Sequence, residues 1–240
     1  MRATTRHPFR AIRAVMGAAA LGAALMAGLP AAAQGLFTPP AGCTLRLTVQ
    51  ARNCTVEQHF TCAADAPGDQ RVIYIGQDGP RYYSRIDAET RWMESRDLVS
   101  GLSERLVSDA ADHASFSTLL ETGADDFDFW TETSEGELYR HVGRDVLTGE
   151  TVTLDGVLLE RTQFELKTYA GDGTLLIESE GRQFISREHG RFYGGTDRSR
   201  DWTGMSRESD VSPMRMIRPG EPGFAASAPV YGCDVQMVAL

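Results

Sequence analysis

LLERTQFELKTYA (158–170), GDG (171–173) and TLLIESEG (174–181) follow one another without a break. In the first run Phe164, Leu166 and Thr168 alternate with Gln163, Glu165 and Lys167. A period of two puts the first three on one face of a strand and the polar three on the other. Gly171-Asp172-Gly173 supplies the backbone freedom and the short polar side chain of a tight turn, and a second β-like run returns. The unit reads as an antiparallel hairpin with one wet face, which antiparallel sheets allow.

The same rhythm extends both ways. FDFWTET (127–133), ELYRHVG (137–143), ETVTLDG (150–156), RQFISRE (182–188) and RFYGG (191–195) are separated by Ser134-Glu135-Gly136, Leu147-Thr148-Gly149 and His189-Gly190. Upstream, RVIYIG (71–76) and RYYSRID (81–87) flank Gln77-Asp78-Gly79-Pro80, and a further run covers Thr90 to Ser95. Strands at this spacing predict a meander. One segment departs from it. Leu98, Leu102, Leu106 and Val107 suggest a helical or mixed turn. Asp109 to Leu120 carries Ala110, Ala111, Ala114, Phe116, Leu119 and Leu120 at helical spacing, with Asp109 or Asp112 as cap and Gly123 as stop. Residues 196–229, rich in Arg, Asp, Gly and Pro, read as a long irregular segment before a short strand around Val230 to Met237. The expected fold is mainly β: a curved antiparallel meander or half-barrel with one short helix packed on it.

The first 33 residues read differently. Four Arg and no acidic residue precede an apolar stretch from Ala14 to Leu29, and Ala31-Ala32-Ala33-Gln34 offers small residues at a cleavage site. These are the three parts of a secretory signal peptide, cut between Ala33 and Gln34. Cys43 stands 14 residues past Leu29, too far for a lipoprotein box, and no later segment is long and apolar enough to span a bilayer. The expectation is one β-rich domain over 34–240, located in the periplasm or secreted and not membrane-embedded. Removing four Arg leaves 20 basic and 33 acidic residues, a formal charge of −13. A surface so acidic argues against nucleic acid as a partner.

Export makes Cys43, Cys54, Cys62 and Cys233 expected disulfide partners. Leu45, Leu47 and Val49 alternate in one run, Val56 and Phe60 in the next. A two-residue turn at Arg52-Asn53 sets Val49 opposite Val56, Leu45 opposite Phe60 and Cys43 opposite Cys62. That register favours Cys43–Cys62 and leaves Cys54–Cys233; the alternative is a small Cys54–Cys62 loop with Cys43–Cys233.

No motif carries recognisable chemistry. His59, His113, His141 and His189 fit no metal spacing, with His59 and His141 expected on half-buried or surface strand positions and His189 in solvent. Asp125, Asp126 and Asp128 lack the layout of a calcium loop and read as a solvated strand entry. Gly101-Leu102-Ser103-Glu104-Arg105 fails as a nucleophile elbow, and no phosphate-binding glycine motif occurs. Arg198, Arg200, Arg207, Arg215 and Arg218 alternate with acids and read as a self-neutralising surface. Neither cofactor nor metal is expected. The aromatics are more informative: on a curled sheet Trp92, Phe127, Phe129, Phe164, Phe184 and Phe192 can line an apolar ligand face.

Early cysteines, a long meander with one helical insert, and the late G-E-P-G-F and Y-G-C segments (Gly220 to Phe224, Tyr231 to Cys233) resemble a group of uncharacterised periplasmic proteins of Gram-negative bacteria. More distantly, a curled antiparallel sheet plugged by a helix is similar to the periplasmic lipoprotein carriers. That likeness implies binding of a lipid or lipoprotein in an apolar half-barrel. The expected function is therefore a non-catalytic exported protein that binds an apolar small molecule, a lipid or an envelope protein. Two alternatives stand beside it: an envelope hydrolase working through a carboxylate or His, and a structural or assembly module.

Overall fold

The computed structural model describes residues 35–233. The expected signal peptide, its cleavage site at Ala33 and Gln34, and residues 234–237 of the expected last strand lie outside them.

Thirteen strands form one antiparallel sheet. In chain order they are β1 (Cys43–Ala51), β2 (Thr55–Cys62), β3 (Gln70–Gly76), β4 (Gly79–Ile86), β5 (Trp92–Asp97) and β6 (Ser103–Leu106). After helix α1 (Phe116–Thr122) come β7 (Ala124–Thr133), β8 (Leu138–Leu154), β9 (Val157–Ala170), β10 (Leu175–Ser186), β11 (Arg191–Asp201), β12 (Ser206–Asp210) and β13 (Pro213–Ile217). Strands β1 to β12 neighbour one another in sequence order, while β13 pairs with the far side of β1.

That last pairing dictates the curvature. β12 and β13 are the two edges of the sheet, yet only Val211 and Ser212 join them. Three residue steps reach about 11 Å at most, so the sheet must curl until its ends meet. The linker shows the meeting: Val211 N–H donates to Gly195 C=O on β11 at 2.8 Å, and Ser212 C=O accepts from Arg52 N–H beside β1 at 3.0 Å. No ladder joins β12 to β13, so the sheet stays open.

The ends overlap instead of closing. Leu47, Val49 and Met216 from one end bury themselves against Val157, Leu159, Phe184 and Tyr193 from β9, β10 and β11. Phe184 opposes Arg161 on β9, and Gly181 opposes Phe164. Phe184 therefore shares a face with the odd-numbered residues of β9, while Phe164, Leu166 and Thr168 point to the other side. The odd-numbered face of β9 is buried in the overlap at Val157 and Leu159 and exposed further along at Gln163, Glu165 and Lys167, so the sheet winds as a spiral with a short overlap.

Strands β1 and β2 show how register was decided. Cys43, Thr44 and Leu45 oppose Cys62, Thr61 and Phe60, but beyond an irregularity at Arg46 the ladder shifts, and Val49 opposes Glu57 instead of Val56. The turn is consequently three residues, Arg52-Asn53-Cys54, with Cys54 at φ 57° in the left-handed region. Such a closing residue is usual in three-residue hairpin loops. The disulfides join Cys43 to Cys62 and Cys54 to Cys233. The Cα atoms of Cys43 and Cys62 are 3.9 Å apart, a close pair, where the unshifted register put these residues at the wider, hydrogen-bonded kind.

Thr48, Gln50 and Gln58 are polar yet buried. The tail after β13 covers them. Gln58 Nε2 donates to Ala226 C=O at 2.7 Å, Gln50 Nε2 to Ala228 C=O at 3.1 Å, and Thr48 Oγ1 accepts from Ala225 N–H at 2.9 Å. Each buried amide or hydroxyl thus has a partner, as burial requires.

Three expectations are corrected. The stretch 196–229 is not irregular throughout: β11 runs to Asp201, and β12 and β13 follow. Arg198 opposes Glu208 and pairs with it at 2.8 Å. At an exposed sheet edge, opposite charges across the ladder replace the apolar alternation that marks a half-buried strand. Leu147-Thr148-Gly149 is not a hairpin turn but an irregularity within the continuous strand β8. The described part of the expected closing strand, residues 230–233, is not a strand.

The helix is shorter than expected, Phe116–Thr122 in place of Asp109 to Leu120. Asp112 forms a two-way backbone bridge with Asp128, which holds that part of the chain extended. Ser115 is the cap, accepting from Thr118 N–H at 3.2 Å, and Gly123 at φ 86° ends the helix. Phe116 and Leu119 pack on Ile185. Ser115→Ala is expected to lower stability by about 1 kcal/mol, the usual worth of a cap; urea denaturation measures it, and an unchanged midpoint contradicts it.

Candidate functional site

The concave face encloses a cavity of about 560 Å³, walled by strands from β3 to β11 and roofed by α1. Five of the six aromatics expected to share an apolar face line it: Trp92, Phe127, Phe129, Phe164 and Phe192. Phe184 does not, because its register turns it into the overlap core. Trp92 remains 43% exposed although it faces other rings. Its indole meets Phe129 edge-on at 5.4 Å and His141 at 5.2 Å. A ring-lined wall that still shows a tryptophan to water borders a space left open, and Arg85, Glu94, Glu104, Asp125, Asp145 and Arg191 share that wall.

Polar groups enter this wall at defined places. Thr131 Oγ1 lies 3.2 Å from Glu104 Oε2 and 2.9 Å from His141 Nε2, and His141 Nδ1 lies 3.1 Å from Thr168 Oγ1. Burial pushes His141 down to about 4, so its ring is neutral near pH 7. With one ring proton, the bonds run one way. Thr168 donates to Nδ1, Nε2–H donates to Thr131, and Thr131 donates to Glu104. The chain crosses four strands and fixes the imidazole between Trp92 and Phe129.

At the α1 end, Asp125 and Asp145 oppose each other across β7 and β8 and both line the cavity. Asp125 Oδ2 accepts from Ser115 N–H at 2.8 Å. Asp145 Oδ1 is buried with no hydrogen-bond partner. Burial, with the Asp125 charge beside it, pushes Asp145 up to about 7. Asp126 and Asp128 turn outward and pair with Arg144 and Arg140.

A second cluster sits where β2 and β3 meet β11. His59 Nε2 and Glu57 Oε2 are 2.9 Å apart, both side chains buried. Burial pushes Glu57 up to about 7 although Arg191 opposes the shift, and the same burial, with Arg191 and His189, drives His59 well below its ordinary value. His189 Nδ1 bonds Tyr193 Oη at 2.7 Å. A cleft of about 470 Å³ opens here, lined by His59, Gln70, His189, Arg191 and Tyr193. A wider cleft of about 840 Å³ along β8 to β12 presents Arg144 and Arg198 already paired with Asp126 and Glu208.

The four histidines do not converge on one site. His59 and His141 are buried, deeper than their strand positions suggested, and His189 is partly buried and bonded instead of solvated. Glu57, Asp145 and Arg191 were not singled out from the sequence. For Asp145 a signal exists: it shares parity with His141 and Gly143, the β8 residues that pair with Phe129 and Phe127 on the same face. Arg191, directly after a His-Gly turn, carries none.

Among the described residues no group of three or more His, Cys, Asp or Glu could hold a metal ion, and no helix is long and apolar enough to cross a membrane. Compared with known protein families, curated proteins and solved structures, the chain has no match.

Proposed function

We propose that the chain is an exported, non-catalytic binding protein that holds an apolar ligand in the concave cavity. The observation that carries this reading is the open space of about 560 Å³ lined by Trp92, Phe127, Phe129, Phe164 and Phe192. Small-molecule sites fall in the range of about 300–1,000 Å³ and set placed polar groups among apolar ones; here His141, Arg85, Arg191 and the carboxyls of Glu94, Glu104, Asp125 and Asp145 share the wall with the rings. Two disulfides are consistent with an oxidising compartment.

A fluorescent fatty-acid probe tests the reading. Wild-type protein takes up the probe, and Leu166→Trp with Ser179→Phe, both on the cavity wall, abolishes uptake by filling it. Far-UV circular dichroism and the thermal midpoint verify that the variant is folded. A wild-type protein that binds no probe, and carries no lipid by native mass spectrometry, sinks the reading.

A further inference from the structure

Arg191 opens β11 and is only 5% exposed. It forms no ion pair among the described residues. Its contacts within the protein are long: Nη1 to Gln70 Oε1 at 3.3 Å and Nε to Phe192 C=O at 3.4 Å. The guanidinium stands 5.6 Å from the Tyr193 ring centroid. Glu57 feels its charge, yet bonds His59 instead. Gln70 is held in turn, its Nε2 donating to His189 C=O at 2.8 Å and Gly190 C=O at 3.1 Å. The guanidinium is thus positioned by neutral groups, and the nearby Glu57 carboxyl acts on it without a direct ion pair.

A buried cation without a directly paired anion is unfavourable, and an incoming anion that bonds it relieves that cost. Arg191 borders both the aromatic cavity and the cleft beside His189. The fork of N–H groups on a guanidinium matches a carboxylate or phosphate with two parallel bonds. An aromatic space ending at such a group has the polarity of an amphiphile with an acidic head.

We infer that Arg191 anchors the acidic headgroup of the ligand, which makes the ligand an anionic single-chain amphiphile. This rests on the cavity reading above. The alkyl chain lies among Trp92, Phe129 and Phe164, and the head, carboxylate or phosphate monoester, meets Arg191 where Gln70 holds it.

Titration calorimetry with laurate, dodecyl phosphate, methyl laurate and dodecanol separates the parts. In wild-type protein at least one of the two acids binds roughly 10- to 100-fold more tightly than the neutral pair, the range of a charge-assisted bond, and their ranking tells a carboxylate head from a phosphate head. Arg191→Gln loses that preference while its affinity for methyl laurate is unchanged, which also shows that the variant is folded. Arg191→Lys keeps part of the preference. Equal affinity for acid and ester in the wild type, or a preference that survives Arg191→Gln, overturns the headgroup assignment and leaves the cavity reading intact. Failure of all four compounds to bind overturns both.

Discussion

Replacing Cys54 and Cys233 by serine lowers the unfolding free energy by about 5 kcal/mol, against about 3 kcal/mol for the serine pair at Cys43 and Cys62. The two crosslinks span 179 and 19 residues of sequence. In the chain-entropy account a crosslink stabilises by restricting the unfolded chain, and the restriction grows with the logarithm of the loop. The longer bridge also holds the tail in place. Cys54 N–H donates to Tyr231 C=O at 2.9 Å, and Val230 N–H to Gln50 Oε1 at 3.1 Å. Gly232, at φ 69°, approaches Arg52 C=O so closely that a Cβ there would clash with it. Without the bridge, the tail that covers Thr48, Gln50 and Gln58 loses its terminal anchor. Urea denaturation of both serine pairs, with the oxidised wild type as reference, measures the two costs. Equal losses, or a larger loss for the Cys43–Cys62 pair, contradict the argument.

The parts of this architecture that were legible are those where one strand carries its own pattern. The alternation of Phe164, Leu166 and Thr168 marked a wet-faced strand, and the meander with one helix followed from many such runs. What the residues did not show is inter-strand register. Phe184 looks like Phe164 from sequence, and only the opposition of Phe184 to Arg161 and of Gly181 to Phe164 separates their faces. The strands β12 and β13 hid because an edge held by Arg198 and Glu208 has no apolar period. Helix spacing across Ala110, Ala111 and Ala114 was overridden by the backbone bridge of Asp112 to Asp128. The polar members of the cavity escaped for a related reason. Asp145 is part-buried between β7 and β9, Arg191 is buried beside Gln70 far off in sequence, and charged residues on strands ordinarily face water.

Asp145→Asn is expected to stabilise the protein by about 4 kcal/mol at pH 8 and to leave its stability unchanged at pH 3. Burial raises the Asp145 carboxyl from 3.8 to about 7 in the folded protein. Between those values the native state holds a proton that the unfolded chain has released. Wild-type stability at this site therefore falls as pH rises from about 4 to about 7, and the whole cost is present above 7. The full difference in pKa corresponds to about 4 kcal/mol, and it is undiminished because an asparagine amide and a protonated carboxyl both leave a polar group without a partner where Asp145 Oδ1 has none, so variant and wild type match at pH 3. His141 acts in the opposite sense. Its folded value near 4 lies below the ordinary 6.5, so it costs stability as pH falls through that window. The difference between variant and wild type cancels that contribution and leaves the carboxyl alone. Urea midpoints at pH 3, 5, 7 and 8 trace it. A gap that widens steadily from pH 4 to 7 and then levels is the expected curve, while a constant gap across the series shows that Asp145 titrates alike in the folded and unfolded states. The same curve bears on the cavity. A carboxyl that still holds its proton at pH 6 is a hydrogen-bond donor facing the ligand space, and it loses that capacity as the pH passes 7.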